Sequence, residues 1–397
     1  MENQNKIIIP EGFILIVDDV GWWLPHNKRL YSATWKSSEI DRERPYCLDD
    51  YRALVEIGKA LDMRVLCGFT IGEWDRDRTI ASVPNASALG KAWTNAEVLE
   101  HSELLDEARD YINSNAEHIE MAVHGLNHMF WTDAGERIPA EYYHDENCRQ
   151  VMLPPDSMKK HLDAWFEIYE RNGFKAPVDK FIPCYFRYNY SQGNGEISYI
   201  LKDYGIKFVS TIFASMKYDT PEKPVMACIE NGILTTDRTK DTVHWALMDA
   251  QPPKELKSTT FGAHWPAFVS RDHNDNMKTV ARWVEYFKQY KNKFDVVCAR
   301  DQEMAARQIF YKRFTRMTET SKDRFTLDFS EADKQNAPES LIGSDVYLNV
   351  VKPCRLSAAD DSCRVELWRE ADDFNTYKLT RRGAFANIVL ENQNCNL

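Results

Sequence analysis

The chain alternates between short apolar runs and longer segments whose apolar residues recur every three or four positions. Short runs predict strands, and the 3.6-residue spacing predicts amphipathic helices. The predicted strands lie at 13–17, 64–69, 118–124, 180–184, 206–213, 242–248, 259–265 and 294–298. The predicted helices lie near 49–61, 94–112, 157–172, 195–204 and 277–287, and a long aromatic, acidic insert occupies 129–155.

This alternation predicts an α/β fold in which parallel strands are joined by crossover helices. The strand runs are nearly continuous in apolar residues, as is typical of a sheet covered on both faces. Enough units are present for a complete or distorted (β/α) barrel, and a doubly wound open sheet is the alternative. The G-x-G-x-x-G turn of dinucleotide-binding folds is missing from the sequence, which disfavours that alternative.

The pattern changes at about residue 313, where the long helical segments stop. "RFTLDF", "DVYLNVV", "CRVELWR" and "FANIVL" predict short strands separated by polar loops. We therefore expect a β/α domain over 1–312 and a small β-rich C-terminal domain or extension over 313–397.

Composition narrows the class of protein. Of 397 residues, 43% are hydrophobic and 28% are charged, which is typical of a globular protein without a membrane span. The net charge of −11 argues against a nucleic-acid partner. Nine cysteines without C-x-x-C spacing argue against a structural zinc knot. "MENQNKIIIP" has no long apolar core, so a complete chain is expected in the cytoplasm. The oligomeric state is not indicated.

Polar side chains follow several predicted strands. "FILIVDDVGWW" ends an apolar run with two adjacent carboxylates, Asp18 and Asp19. Two buried like charges are costly unless a positive partner lies beside them. "HGLNH" places His124 and His128 after another strand, and two histidines with an aspartate form a sound set of zinc ligands. Asp19 would then bind the metal, and Asp18 would take a proton from water activated by that metal.

Two more strand ends add candidate residues. "FGAHW" places His264 where it could protonate a leaving group, and Arg187 in "FRYNYSQGNG" could orient a carboxylate or bind substrate. Each feature taken singly is commonly structural: a histidine pair, an Asp-Asp turn, a loop histidine or a loop arginine. Their joint placement at strand ends favours a site, since chemistry in β/α barrels occurs at the carboxyl ends of the strands.

Together these segments resemble the polysaccharide deacetylase family, also called carbohydrate esterase family 4, over about residues 10–310. "LIVDDVG" resembles the family's Thr-Phe-Asp-Asp segment, and "HGLNH" matches the spacing of its His-Ser/Thr-x-x-His segment. "FRYNYSQGNG" follows its Arg-Pro-Pro-Tyr segment, and "FGAHW" resembles its late Leu-x-His segment.

The resemblance implies a distorted β/α barrel, a divalent metal and an acetylated carbohydrate as substrate. It implies Asp18 as base, His264 as acid, and Asp19, His124 and His128 as metal ligands. Arg187 would hold Asp18, and the backbone N–H of Tyr190 would help bind the oxyanion. Aromatic residues near the motifs could stack on sugar rings: Trp22, Trp23, Trp131, Tyr185 and Trp265.

The sequence departs from the family pattern at three positions. Gly125 stands in place of Ser/Thr, and Tyr188 and Asn189 stand in place of two prolines. Two other functions therefore stay open: a carbohydrate-binding protein with a degenerate site, and a metal-dependent hydrolase of non-sugar C–N bonds. Zinc is the first choice of metal, although cobalt, nickel and iron tolerate the same ligands.

Overall fold

The structure is a computed structural model. It describes residues 6–21, 44, 46–87, 89–95, 99–100, 102–146, 149–190, 196–218, 222–238, 243–245, 247–255 and 259–392. Within this part of the chain, none of the helices combines the length and the apolarity that crossing a bilayer requires.

The elements follow the predicted alternation. In chain order the strands are β1 (Ile7–Ile8), β2 (Glu11–Val20), β3 (Val65–Phe69), β4 (Ile119–Val123), β5 (Phe130–Trp131), β6 (Arg137–Ile138), β7 (Tyr143–Glu146), β8 (Arg149–Met152), β9 (Lys180–Phe181), β10 (Asn189–Tyr190), β11 (Phe208–Thr211), β12 (Lys217–Tyr218), β13 (Ala227–Glu230), β14 (Ile233–Asp237), β15 (Thr260–His264), β16 (Val296–Cys298), β17 (Arg316–Ser321), β18 (Arg324–Asp328), β19 (Asp345–Val351), β20 (Cys354–Ala358), β21 (Cys363–Glu370), β22 (Phe374–Arg381) and β23 (Phe385–Asn392). The α-helices are α1 (Leu48–Leu61), α2 (Ser102–Ser114), α3 (Pro155–Asn172), α4 (Ile197–Asp203), α5 (Asn276–Lys291), α6 (Gln302–Phe314), α7 (Ser330–Asp333) and α8 (Glu339–Ile342).

One large sheet positions the predicted site. Its strand order is β13-β14-β11-β9-β4-β3-β2-β15, and β16 also pairs with the first residues of β2. All neighbours are parallel except β13 and β14, which form an antiparallel pair. The α/β class with a parallel sheet is therefore confirmed.

Closure into a barrel is not observed. Among the described residues the sheet is open, and its hydrogen-bonded path ends at β13 on one side and at β15 on the other. A barrel needs its first and last strands to pair, whereas β13 turns back on β14 as a hairpin. One expected strand, 242–248, is also missing over its described residues 243–245 and 247–248, and β14 supplies a parallel strand instead.

The apolar run of β2 is buried on both faces of the sheet. Phe13, Leu15 and Val17 belong to the main hydrophobic core. Ile14 and Ile16 belong to a second cluster, which includes Ala305 of α6. Burial on both faces explains why this strand reads as a continuous apolar run and not as an alternating one.

The C-terminal region contains two four-stranded sheets, with the orders β17-β18-β23-β20 and β1-β19-β22-β21. The four strands predicted there are present, as β18, β19, β21 and β23. β1 pairs with β19, and apolar residues of α6 and β14 share one core with these sheets. The boundary between 1–312 and 313–397 stays a prediction.

Candidate metal centre

Asp18 and Asp19 lie near the end of β2, and each is only 1% exposed. Successive side chains of a regular strand point to opposite faces of the sheet. Here the pairing of β2 with β3 shifts register between Val17 and Val20, and Asp19 has a φ of 60°. This irregularity breaks the alternation, so both carboxylates come under the influence of the same histidines, His124 and His264.

The positive partner of Asp18 is Arg238, which directly follows β14. Its Nη1 and Nη2 atoms donate to Oδ1 and Oδ2 of Asp18 at 2.8 and 2.9 Å. This two-bond geometry is the strongest form of an arginine–carboxylate pair. The guanidinium is buried, and its Cζ atom lies 5.1 Å from the centre of the Phe186 ring.

Arg238 fills the role expected of Arg187, whose own contact with Asp18 stays a prediction. Arg238 accounts for both oxygens of Asp18, while the guanidinium of Arg187 lies over the ring of Tyr185 at 5.6 Å. The reason is topological. β14 adds to the parallel sheet, so its carboxyl end reaches the same edge as that of β2.

Asp19 lies among three histidines. Its Oδ1 atom is 3.2 Å from Nε2 of His124 and 3.7 Å from Nε2 of His128. Its Oδ2 atom is 3.5 Å from Nε2 of His264. His264 reaches the site because β15 runs beside β2 with His264 opposite Asp18 in the register.

The donor atoms of Asp19 and His124 fit a bound cation. Nδ1 of His124 lies 2.8 Å from the carbonyl oxygen of Ile182, so this nitrogen carries the proton and donates it. Nε2 of the neutral ring is then an acceptor that faces Oδ1 of Asp19, which is also an acceptor. Both atoms are buried without a hydrogen-bond partner among the described residues. A cation between them would satisfy both buried acceptors.

Cys184 adds a soft donor next to these residues. One ligand atom each of His124, His128 and Cys184 lies within 4.8 Å of the others, and all three residues are buried. The thiol donates to the carbonyl oxygen of His124 at 3.2 Å. Such a group could hold a metal ion, and its nitrogen and sulfur atoms suit zinc.

Burial and nearby charges shift the pKa values of the site residues in different directions. Burial alone raises the pKa of Asp18, but the Arg238 guanidinium and the nearby histidines outweigh it and lower that pKa below its usual range. The three histidines lower the pKa of Asp19 in the same way. Burial lowers the pKa of His128 to about 4. It acts against His124 too, but the nearby carboxylates of Asp19 and Asp18 outweigh it and raise the pKa of His124.

Left-handed backbone recurs around the site. Asp19, His128, Tyr185 and Phe186 have φ values of 60°, 64°, 54° and 56°. Each such residue costs about 1–2 kcal/mol unless its surroundings impose the conformation. The site is therefore held in place by the packing of its loops and not by local backbone preference.

Replacing Gly262 by alanine should disturb the Asp18–Arg238 pair. A Cβ atom at this position would lie 1.7 Å from Nη2 of Arg238, so the guanidinium would have to move. We expect the free energy of unfolding to fall by about 1–3 kcal/mol, as for other overpacked sites, and this is measured by chemical denaturation. Gly383→Ala is the control, because nothing lies within 4 Å of a Cβ atom there. Equal unfolding midpoints for the two variants would contradict the prediction.

The aromatic residues expected to bind sugar are placed differently from one another. Trp265 is fully buried, stacks on Tyr46 at 3.9 Å and donates to the carbonyl oxygen of Asp50, so its faces are used by the core. Trp131 is also buried, at 4% exposed. Tyr185 is 54% exposed and stays a candidate for substrate contact. The predictions for Trp22 and Trp23 fall outside the described residues.

Tyr190 lies in β10, which pairs in parallel with β12 opposite Tyr218. Its side chain is 8% exposed. The expected role of its backbone N–H in binding an oxyanion stays a prediction.

Sequence reasoning missed Arg238 and Cys184. It also missed Glu141, whose carboxylate accepts bonds from the backbone N–H groups of Leu126 and Asn127. Arg238 follows the segment "ILTTD", and the rule that polar residues after parallel strands form the site would have found it once that segment was taken as a strand. Cys184 closes the predicted strand 180–184 and satisfies the same rule. Glu141 lies in the insert 129–155, which carries no period that would have indicated its position.

Comparisons with known proteins add a distant structural neighbour. No protein-family model matches the chain, and no curated protein matches it. It is similar to a solved structure from Mycobacterium smegmatis described as a "putative polysaccharide deacetylase", with 13% sequence identity and a TM-score of 0.40. The similarity covers 78% of this chain and 93% of that chain. At this level of likeness, the functional conclusion rests on the residues of the site alone.

Proposed function

We propose that the chain is a metal-dependent hydrolase that removes an acetyl group from a carbohydrate. One observation carries the proposal: two buried carboxylates and three histidines meet at the carboxyl edge of a parallel sheet. Acceptor atoms of Asp19 and His124 face each other there, without a hydrogen-bond partner among the described residues. In this proposal Asp19, His124 and His128 hold a divalent cation, with zinc as first choice and cobalt, nickel or iron as alternatives. Cys184 is a further donor within reach.

A divalent cation bound there would polarise the acetyl carbonyl and lower the pKa of water. Asp18 is unprotonated at neutral pH because its pKa is lowered, so it can accept the proton that the attacking water loses. Arg238 holds that carboxylate in one orientation. His264 has the most exposed side chain of the three histidines, at 14%, and donates a proton to the leaving amine or alkoxide. The products are acetate and the deacetylated sugar.

The burial of two tryptophans favours a second function. Trp131 and Trp265 are buried, which removes two of the surfaces expected to stack on a sugar ring. Tyr185 and the half-buried Trp245, whose ring centroid lies 6.3 Å from that of His264, stay available for this purpose. Hydrolysis of a non-sugar C–N bond by the same residues is therefore the alternative.

The decisive experiment measures bound metal and released acetate together. Purified protein is loaded with Zn²⁺, dialysed and assayed for metal content, and then incubated with a panel of N- and O-acetylated sugars. We expect one metal per chain in the wild type, and loss of both that metal and acetate release in His128→Ala. His118→Ala is the matched control, since this half-buried histidine directly precedes β4, at the opposite end of that strand from His124. A wild type that takes up no metal would overturn the proposal, and metal without acetate release would favour the alternative.

Metal uptake should weaken as the pH falls. A histidine binds metal only when neutral, and the pKa of His124 is raised above its ordinary value of 6.5. Protons therefore compete with the metal below that raised pKa, where the apparent affinity should fall about tenfold for each pH unit. His128, with a pKa of about 4, adds no dependence near neutrality. Competition with a chelator at a series of pH values from about 5 to 8 tests this prediction. An apparent metal affinity that does not change with pH would contradict it.

A further inference from the structure

We infer that Glu141 is a positioning residue that holds the loop carrying His124 and His128, and that it takes the place of a side chain at position 125. The inference rests on the proposed function, because it assigns a support to the proposed metal ligands. Glu141 lies in the insert between β6 and β7 and is fully buried. Nothing in its sequence surroundings indicates this role.

Both carboxylate oxygens of Glu141 accept bonds from the loop itself. The backbone N–H of Leu126 donates to Oε1 at 3.0 Å, and that of Asn127 donates to Oε2 at 3.1 Å. These are two of the three residues between the histidines. A carboxylate that accepts two successive backbone N–H groups fixes the path of the chain between them. Glu141 therefore acts on the metal ligands through the backbone and not by direct contact.

The opposite side of the loop is held by β3 and the residues after it. The backbone N–H groups of Ile71 and Gly72 donate to the carbonyl oxygens of Gly125 and Leu126 at 3.2 and 2.8 Å. The loop is thus bonded through its carbonyl groups on one side and through its N–H groups on the other. Such double support is needed because His128, at the end of the loop, has a φ of 64°.

Gly125 and Glu141 are complementary. Gly125 has a φ of +86°, and a Cβ atom on it would lie 2.2 Å from Oε2 of Glu141 and 3.0 Å from Sγ of Cys184. A serine or threonine at this position would therefore collide with the carboxylate. The carboxylate of Glu141 and the hydroxyl that the resemblance implies at position 125 cannot both be present. Glu141 can support the loop only because residue 125 is a glycine.

Glu141 is itself held by His161 of α3. Nδ1 of His161 lies 2.9 Å from Oε1 of Glu141, and Nε2 lies 2.8 Å from the carbonyl oxygen of Pro84. Both residues are fully buried. The contact with His161 adds to the two bonds from the loop, and together they offset the cost of burying the Glu141 side chain. These bonds connect α3 and the insert to the loop that carries His124 and His128.

The test uses Glu141→Ala, the milder Glu141→Gln and Glu120→Ala as a matched control. Glu120 is also a buried carboxylate, but it lies at the far end of β4, where it pairs with Lys180 at 3.3 Å. Glu141→Gln keeps the shape but turns an amide NH₂ group toward a donor, since both carboxylate oxygens accept N–H bonds. It serves if the alanine variant does not fold, as judged by circular dichroism.

Two readouts are taken, hydrogen exchange of the loop peptide in metal-free protein and the affinity and absorption spectrum of bound Co²⁺. We expect both Glu141 variants to exchange faster at 124–129, to bind Co²⁺ about 10–100-fold more weakly, as for other residues that orient metal ligands, and to shift the Co²⁺ spectrum. Glu120→Ala should change none of these.

Unchanged loop exchange in the Glu141 variants, or faster exchange with unchanged Co²⁺ affinity, would overturn the inference. So would equal effects of Glu120→Ala, since Glu141 would then act only through general stability. A wild type that binds no Co²⁺ would instead overturn the proposed function, and the metal role of Glu141 with it. The two failures are therefore told apart by the wild-type measurement.

Discussion

Asp18→Asn should keep its metal and lose most of its acetyl hydrolysis. Asparagine cannot accept the proton that the attacking water loses, whereas the proposed ligands Asp19, His124 and His128 stay in place. Removal of a general base lowers the rate by about 10²–10⁴-fold, and we expect kcat to fall within this range with little change in KM. Initial rates of acetate release and metal content are measured on the same preparation.

Asp110→Asn is the control for this experiment, because the Asp110 side chain is 69% exposed and pairs with Arg109 at the surface. If Asp18→Asn also loses its metal, Asp18 is a ligand and the assignment of the two carboxylates is wrong. If it keeps wild-type turnover, the base lies elsewhere.

Replacing Arg238 by methionine should produce the largest loss of stability. The substitution leaves the Asp18 carboxylate buried without its partner, and breaking a buried pair from one side costs about 3–5 kcal/mol. Chemical denaturation at pH 7 measures the free energy of unfolding. Arg171→Met is the control: its side chain is 53% exposed, and surface pairs contribute about 0–1 kcal/mol.

The loss of stability in Arg238→Met should also depend on pH. The pKa of Asp18 is lower in the folded protein than its ordinary value of 3.8, so the pair stabilises the fold above that value and the stabilisation is lost as the pH falls through the lowered pKa. Without Arg238, burial raises the pKa of Asp18, and protonation relieves the variant. The difference between wild type and Arg238→Met should therefore shrink in acid. A difference that grows in acid would show that another group dominates.

The strand ends were the predictable part of the site. Asp18, Asp19, His124 and His264 each follow an apolar run, and parallel strands bring such positions to one edge. Arg238 obeys the same rule but follows "ILTTD", whose apolar part is too short to predict a strand. Closure of the sheet could not be predicted, because it depends on whether the outermost strands pair and not on the pattern within any strand.

Other features depend on orientation in space, which sequence proximity does not fix. Trp265 is adjacent to His264, but the chain enters a short 3₁₀ helix at Trp265 and turns its ring into the core. Glu141 reaches the loop that carries His124 and His128 from an insert of two short hairpins, β5–β6 and β7–β8. The apolar residues of this insert recur at no regular spacing. In the sequence, Gly125 lacks the hydroxyl that the resemblance implies. The structure gives the reason, because the Glu141 carboxylate packs where a side chain at position 125 would lie.

The register of β2 also bears on the order in which the protein can fold during synthesis. β2 ends at residue 20, but β15 and β16, which pair with it, lie at 260–264 and 296–298. The guanidinium that neutralises Asp18 comes 220 positions later in the chain. A growing chain therefore carries a carboxylate that cannot be buried at low cost until the ribosome has released residue 238. Contacts of such long sequence separation form late and slowly, so the site should be among the last parts of the molecule to assemble.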